Sequence, residues 1–244
     1  YTFKCWKNIQ KNLISACMPT KKARQLLREY NIGKPLLNDM KYITSGNSIH
    51  HLYHLLKFFK ETNISIADLN TVVEVGGGYG NLAKIYMEMR QQYATSISKS
   101  EESTYIIIDI PIFSYIQGVY LKTIFGRNAV HIADGSNLEI KKGLINLIPL
   151  DKNTFPQVQA AIKNVDLFVS TWALSESNDA MQNYIKSVDY FKANYLLLAY
   201  QKSVDRFAFA EDIQNTTASY AKIFNEETEY VRDNYYLFCK KGGV

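Results

Sequence analysis

Residues 71–80, Thr-Val-Val-Glu-Val-Gly-Gly-Gly-Tyr-Gly, constrain the fold more than any other stretch of the chain. Val72, Val73 and Val75 form a β-branched run of the kind that fills a strand buried on both faces. Glycines follow at once, and Asn81–Met89 then places Leu82, Ile85, Tyr86 and Met89 at helical spacing. Strand, glycine turn and helix open a nucleotide-binding βαβ unit, because glycine allows a tight turn and a ligand lying against the backbone.

The spacing narrows the ligand. Glycines at 76, 78 and 80 read G-x-G-x-G, and Asn81 stands where the dinucleotide fingerprint has its third glycine. The Gly-Lys-Ser/Thr that closes a phosphate-cradling loop is absent. Glu74, a carboxylate ending a buried strand, opposes a pyrophosphate and suits a cationic ligand. Asn81 and Glu74 together disfavour a nicotinamide dehydrogenase.

Further along, Tyr105–Asp109 reads as a second buried strand, with Pro111 opening a helix at a favoured first-turn position. Asp109 ends that strand, where its two oxygens can accept from vicinal ribose hydroxyls. It lies about 30 residues after the glycines rather than the usual ~20, an excess explained by the insertion at 95–103. The third strand is either Ala129–Asp134 or Leu144–Pro149. The second is preferred, because a helical segment, Phe155–Lys163, follows it closely, and residues 128–141 then form an inserted hairpin. Val165–Ser170 is the fourth strand, Tyr195–Tyr200 the fifth and Tyr235–Cys239 the last, with Phe209–Phe224 read as a helix. Before the first strand, residues 3–30 read as helical with a break near Pro19 and Thr20 as an N-cap. Residues 31–46 connect to a helix capped by Asn47 or Ser48 and running to about Lys60. Alternating elements of this kind imply a doubly wound sheet.

Glu-Val-Gly-Gly-Gly-Tyr-Gly, Ile-Ile-Asp-Ile-Pro, Asn-Leu-Ile-Pro and Asp-Leu-Phe-Val-Ser-Thr-Trp-Ala-Leu-Ser-Glu together resemble class I S-adenosylmethionine-dependent methyltransferases. Within these, residues 47–240 look like the sugar O-methyltransferases of bacterial surface-polysaccharide biosynthesis. The resemblance implies an α/β fold: a doubly wound, Rossmann-like, mostly parallel seven-stranded sheet. It implies a cofactor-binding domain at 47–244 beneath a helical cap at 1–46. It implies that Gly76, Gly77 and Gly78 pass under the methionine part of S-adenosylmethionine, with Glu74 orienting the loop and the charged end of the ligand. Asp109 and Ile110 then lie at the ribose, Asp151 (Asp134 in the other register) at adenine, and Ser170 among the cofactor-holding groups. The implied reaction is methyl transfer to an oxygen of a sugar or sugar nucleotide. The partner is a small molecule, and a homodimer is compatible with it. Other readings keep the cofactor but change the acceptor to another small alcohol, a phosphate-type oxygen or an amine, or make the chain a non-catalytic cofactor-binding subunit.

Such a transfer needs a group that removes the alcohol proton. The chain has four histidines, three of them in His50-His51-Leu52-Tyr53-His54. His50 and His54 are one helical turn apart, as zinc ligands are, but no third ligand stands nearby, so no metal is expected. The alternatives for this cluster are a helix face and an approach of His50 or His51 to the cofactor cleft. Glu176 is the other candidate base, or else a helix first-turn carboxylate favoured by the macrodipole. Trp172 walls the acceptor pocket or fills the core.

Composition sets the outer bounds. At 244 residues and 47% hydrophobic, one α/β domain with an added helical segment is the economical count. No run of about 18 apolar residues predicts a membrane span, no signal peptide is visible at the start, and the first residue, a tyrosine, points to a trimmed or processed chain. Three cysteines without C-x-x-C spacing fit free thiols in a reducing compartment, the cytoplasm. The net charge of +5 includes a cluster at Lys21, Lys22, Arg24 and Arg28, which is a solvated helix face or an attractor for an anionic substrate. Nucleic acid is not expected, because no basic tail or interleaved aromatic–basic strand is present.

Overall fold

The computed structural model describes residues 3–94, 103–133, 138–201, 213 and 216–242. The strand–turn–helix reading holds: β1 spans Thr71–Val75 and α4 spans Asn81–Ala94. The three helices before them are α1 (Phe3–Cys17), α2 (Thr20–Leu26) and α3 (Gly46–Thr62). Next come β2 (Thr104–Asp109), α5 (Pro111–Phe125), β3 (Val130–Ile132), β4 (Ile145–Pro149) and α6 (Phe155–Ala161). The chain continues through β5 (Leu167–Thr171), α7 (Ala173–Glu176), α8 (Asp179–Ser187), β6 (Tyr195–Gln201), β7 (Tyr220–Glu227) and β8 (Asn234–Lys241).

The eight strands form one sheet in the order β3-β4-β2-β1-β5-β6-β8-β7. Strands β1 to β6 pair in parallel, and β8 and β7 add an antiparallel hairpin at one edge. The central strands are buried on both faces. Val72 packs with Leu147, Leu167, α3 and α4, whereas Val73 and Val75 pack on the other side with Ile148, Phe168, Val158 and Ile185. That alternation is the period-2 geometry of a strand between two helical layers. The same core on the α3–α4 side takes in Ile14, Ala23, Leu26 and Tyr42 from the amino-terminal region. No described helix is long and apolar enough to cross a membrane.

Four expectations change. Both candidates for the third strand are strands: β4 pairs with β2, and β3 adds to β4 in parallel as an eighth, edge strand rather than half of a hairpin. Residues 220–224 are β7, not helix; their mixed Ala, Lys and Phe pattern has no strict period, and pairing with β8 decides the conformation. Pro19, without a side-chain bond, precedes α2, so Thr20 is its first helical residue. Ser45, not Asn47 or Ser48, caps α3 by accepting from the Ser48 N–H.

Candidate functional site

The chain order reverses at β1: β2 and β4 lie on one side of it, β5 and β6 on the other. At such a switch point an open sheet leaves a crevice beyond the carboxyl ends of its strands. The glycine turn forms its floor. Gly76 has φ +77°, and a Cβ there would stand 2.0 Å from the Cβ of Ala173. At Gly77 a Cβ would meet Ile107 at 2.6 Å. Gly78, at φ +55°, has nothing within 4 Å of its would-be Cβ. The first two glycines are therefore demanded by the protein's own packing, and Gly78 faces open space.

Glu74 lies beneath this turn rather than in the crevice. It is buried, and its Oε2 accepts a hydrogen bond from the Tyr105 hydroxyl at 3.0 Å. Burial pushes its pKa up to about 8; the Tyr105 bond opposes the shift and the nearby Asp109 charge adds to it. At neutral pH the side chain is mostly a neutral acid bracing the turn.

A cavity of about 460 Å³ opens at the carboxyl edge, lined by Gly76, Asp109, Ile110, Asp151, Phe155, Asn178 and Met181 among others. Four of the expected cofactor residues, Gly76, Asp109, Ile110 and Asp151, are thus brought together. Asp109 accepts from the Ile110 N–H at 2.8 Å and from Gln117 Nε2 at 2.9 Å. Burial raises its pKa against those bonds and those from the Gly78 and Gly77 amides. The same Gln117 Nε2 donates to the Gly78 carbonyl at 2.9 Å, so one amide locks the turn to the acid. Asp151 caps the short helical turn before α6 through the Asn153 N–H at 2.8 Å. Ser170 is not among the lining residues. Its buried hydroxyl accepts from the Leu174 N–H at 3.0 Å and donates to the Val75 carbonyl at 3.4 Å, tying β5 to β1 and α7.

The histidines form an inner cluster. His50 stacks on Trp172 with ring centroids 5.2 Å apart and lies 4.1 Å from the His54 ring. Gln10 Nε2 lies 2.6 Å from His50 Nδ1, and Asn81 Nδ2 donates to His51 Nδ1 at 3.0 Å. Buried His54 bonds the Tyr236 hydroxyl through Nδ1. Burial lowers the pKa of His50 to about 3 and that of His51 to about 4. Both rings are neutral at physiological pH, and with Nδ1 accepting from Asn81, His51 carries its proton on Nε2. Asn81 is the knot of this region: its Nδ2 also donates to Ser48 Oγ at 3.0 Å, and its Oδ1 accepts from the Tyr120 hydroxyl at 3.1 Å. The residue that breaks the dinucleotide pattern joins α3, α4 and α5.

Trp172 sits at φ +63°, a costly conformation for a bulky residue at the mouth of β5. Its indole N–H donates to Asn234 Oδ1, and its ring belongs to the His50–Tyr236 aromatic cluster rather than to the lining of the 460 Å³ cavity. Glu176 is exposed on α7 and accepts from Gln201 Nε2 at 3.3 Å. Among the described residues no three His, Cys, Asp or Glu side chains converge as metal ligands. Asp166 accepts from the Asn70 and Thr71 amides, and Asp134 lies outside the described residues.

A second cavity, of about 720 Å³, lies between the 29–47 segment and α5, and the glycine turn contributes Tyr79 to its wall. Gln117 and Glu29, which shape the two cavities, carry no signal in the sequence. Gln117 is buried on a helix whose outward positions are largely apolar, and Glu29 follows the basic cluster ending at Arg28.

No family model matches the chain, and no curated protein matches it by sequence. Solved structures do resemble it in fold. Thermoplasma acidophilum 1320 is 11% identical with a TM-score of 0.51, over 93% of this chain and all of that one (100%). Aeropyrum pernix fibrillarin, solved with natively bound S-adenosyl-L-methionine, is 10% identical with a TM-score of 0.46, over 72% of this chain and 68% of that one. The pyocyanin biosynthetic protein PhzM is 11% identical with a TM-score of 0.43, over 78% of this chain. The chain spans only 58% of the length of PhzM and 46% of that of EvdMO1. At 11% identity the likeness to Thermoplasma acidophilum 1320 speaks for the fold alone, an open, mostly parallel α/β sheet.

Proposed function

We propose that the chain is an S-adenosylmethionine-dependent methyltransferase acting on an oxygen of a small molecule, with a sugar or sugar nucleotide as the acceptor that the sequence resemblance implies. One observation carries the cofactor assignment. The crevice at the switch point is lined by two carboxylates, Asp109 and Asp151, and by apolar side chains, with no Lys or Arg among the described lining residues. A dinucleotide would set its pyrophosphate beside these acids, on a turn with Asn81 where the third glycine that lets a pyrophosphate reach the helix N-terminus would stand. A nucleoside joined to a cationic sulfonium finds an acid for its ribose, apolar walls for its base and a bare glycine turn for its amino-acid arm.

When bound, the cofactor supplies an activated methyl group. The protein's tasks are to hold the ribose end through Asp109, to keep Gly78 clear for the ligand, to align the acceptor and to take its proton. Glu176 is assigned the last role in preference to His50 and His51. It is exposed at the carboxyl edge, whereas both imidazoles are partly buried in the aromatic cluster with their Nδ1 atoms engaged by Gln10 and Asn81. Residues 1–46 are assigned to a cap over the 47–244 domain.

Calorimetry with S-adenosylmethionine, its demethylated product and NAD tests the cofactor, and tight NAD binding with no response to the other two overturns it. Labelled cofactor offered with a panel of sugars and sugar nucleotides tests the acceptor. With an accepted substrate, Glu176→Gln should lower turnover by about 10²–10⁴ at nearly unchanged cofactor affinity, whereas His50→Asn and His51→Asn lower it far less.

A further inference from the structure

The 720 Å³ cavity differs in chemistry from the crevice on the other side of the glycine turn. Its walls are mainly apolar and aromatic, and among the described residues the one acidic lining residue is Glu29. All the hydrogen bonds of that carboxylate fall on one oxygen: Oε1 accepts from Thr44 Oγ1 at 3.0 Å, Ser45 N at 3.0 Å, Ser45 Oγ at 2.6 Å and Ser48 Oγ at 2.7 Å. Among the described residues, none donates to Oε2 and no Lys or Arg forms an ion pair with Glu29. Burial works to raise its pKa, but those four donors together outweigh it and hold it below the ordinary range, so it is an anion at neutral pH.

The tyrosines point the same way. The hydroxyl of Tyr30 donates to Glu88 at 3.1 Å, that of Tyr120 to Asn81 at 3.1 Å, and that of Tyr79 accepts from Asn47 at 3.1 Å. With those hydroxyls occupied, Tyr79 and Tyr120 present ring to the cavity, whereas the Tyr30 ring already carries Lys84 Nζ at 5.6 Å from its centre. Lys84 pairs with Glu88 at 3.1 Å and Arg28 lies 5.2 Å from the Tyr30 ring centre, and neither lines the cavity. Lys84 is near enough to be stabilised by the Glu29 charge but pairs with Glu88. A fixed carboxylate with no direct ion-pair partner among the described residues, beside aromatic faces, is an arrangement that recognises an organic cation through charge and cation–π attraction.

We propose that this cavity is a second ligand site, which takes an ammonium-bearing molecule with an apolar body: the charge seats at Glu29 Oε2 and the body lies against Tyr79, Tyr115 and Tyr120. The site excludes phosphates and carboxylates, which would meet Glu29 with no cation to offset it. The inference stands apart from the cofactor reading. If this cavity does hold the methyl acceptor, that acceptor carries an amine and lacks a diphosphate.

The test is binding by the cofactor-free protein, read by calorimetry and by chemical-shift changes, with 2-phenylethylamine, 2-phenylethanol and phenylacetate. The amine should bind about tenfold or more tightly than the alcohol, and phenylacetate should not bind. Glu29→Gln, whose amide oxygen still accepts from Ser45 and Ser48, should remove the preference for the amine while leaving the alcohol unchanged. Val119→Lys, at a 49% exposed position of the lining, places a competing ammonium in the cavity and should abolish amine binding without touching Glu29. Tyr115→Leu, at a 69% exposed ring, should weaken the amine more than the alcohol. Equal affinity for amine and alcohol, an amine preference that survives Val119→Lys, or no amine binding at millimolar concentration overturns the proposal. Because no arm contains S-adenosylmethionine, a failure here leaves the cofactor assignment to its own experiment.

Discussion

Glu74 and Glu29 both lie beside the glycine turn, and their surroundings drive them to opposite charge states. Glu74 is enclosed on all sides and receives one bond, from the Tyr105 hydroxyl; burial raises its pKa to about 8. Glu29 is half-buried and receives four bonds on one oxygen, from Thr44, Ser45 and Ser48, and its pKa is held down. Depth alone does not set the charge of a buried acid; the number of fixed donors set against the desolvation cost does. One glutamate is a neutral strut for a backbone turn. The other is a retained charge on the wall of a cavity. The same residue type thus serves packing on one side of the turn and recognition on the other.

The largest test of this contrast is made in the turn itself. Gly76→Val forces a Cβ to 2.0 Å from that of Ala173 at φ +77° and should cost about 3 kcal/mol or more of stability, read by denaturant unfolding. Gly78→Val meets open space, so its stability cost should stay near the ~1 kcal/mol of backbone strain while S-adenosylmethionine binding is lost. Equal destabilisation by the two would remove the distinction between packing glycines and ligand glycines.

Next in size is the pair of acids. Glu29→Ala strands Thr44, Ser45 and Ser48 and should cost about 2–4 kcal/mol. Glu74→Gln replaces a group that is neutral when folded but ionised when unfolded at pH 7, so it should change stability by less than about 1 kcal/mol near pH 4.5 and raise it progressively above that. Their pH signatures run in opposite directions. The raised pKa of Glu74 gives stability that is full below its ordinary 4.5 and is lost as pH rises through about 8, so Glu74→Gln should flatten the alkaline limb between pH 5 and 9. The lowered pKa of Glu29 gives stability present above 4.5 and lost as pH falls through its folded value, so Glu29→Gln should flatten the acid limb. Urea midpoints across pH for both variants decide the matter, and parallel profiles break the contrast.

The last test, at Asp109, reads binding rather than folding. Asp109→Ala should weaken S-adenosylmethionine binding by about 1–3 kcal/mol, the range for charged hydrogen bonds, with the Gln117 bridge to Gly78 also loosened. An unchanged dissociation constant in a folded variant removes Asp109 from the ribose role.

The fold was legible wherever local chemistry and burial agree. The valines of β1 and the isoleucines of β2 are buried on both faces, and a run with no polar side to turn outward can be nothing but a central strand. The hairpin strand β7 was not legible: six of its eight residues are exposed, so no buried face imposes a period, and only its bonds to β8 make it a strand. In the site, Gly76, Asp109, Ile110 and Asp151 follow from their places at strand ends and do meet in one crevice. The histidines show the limit. Their spacing on α3 put them on one face, but whether that face meets solvent or Trp172, Tyr230 and Tyr236 depends on residues far away in the chain.

The strand–turn–helix unit, the parallel core and the places of the acids at strand ends can be read from the chain alone, because these rest on backbone conformation and on the hydrophobicity of neighbouring residues. Packing of distant segments sets which of those acids are charged, which histidines are buried, that Asn81 joins three helices, and that Glu29 stands in a tyrosine-walled cavity. Protonation and accessibility depend on donors and desolvation supplied by segments distant in sequence, and those meet only when the sheet and its helices have packed.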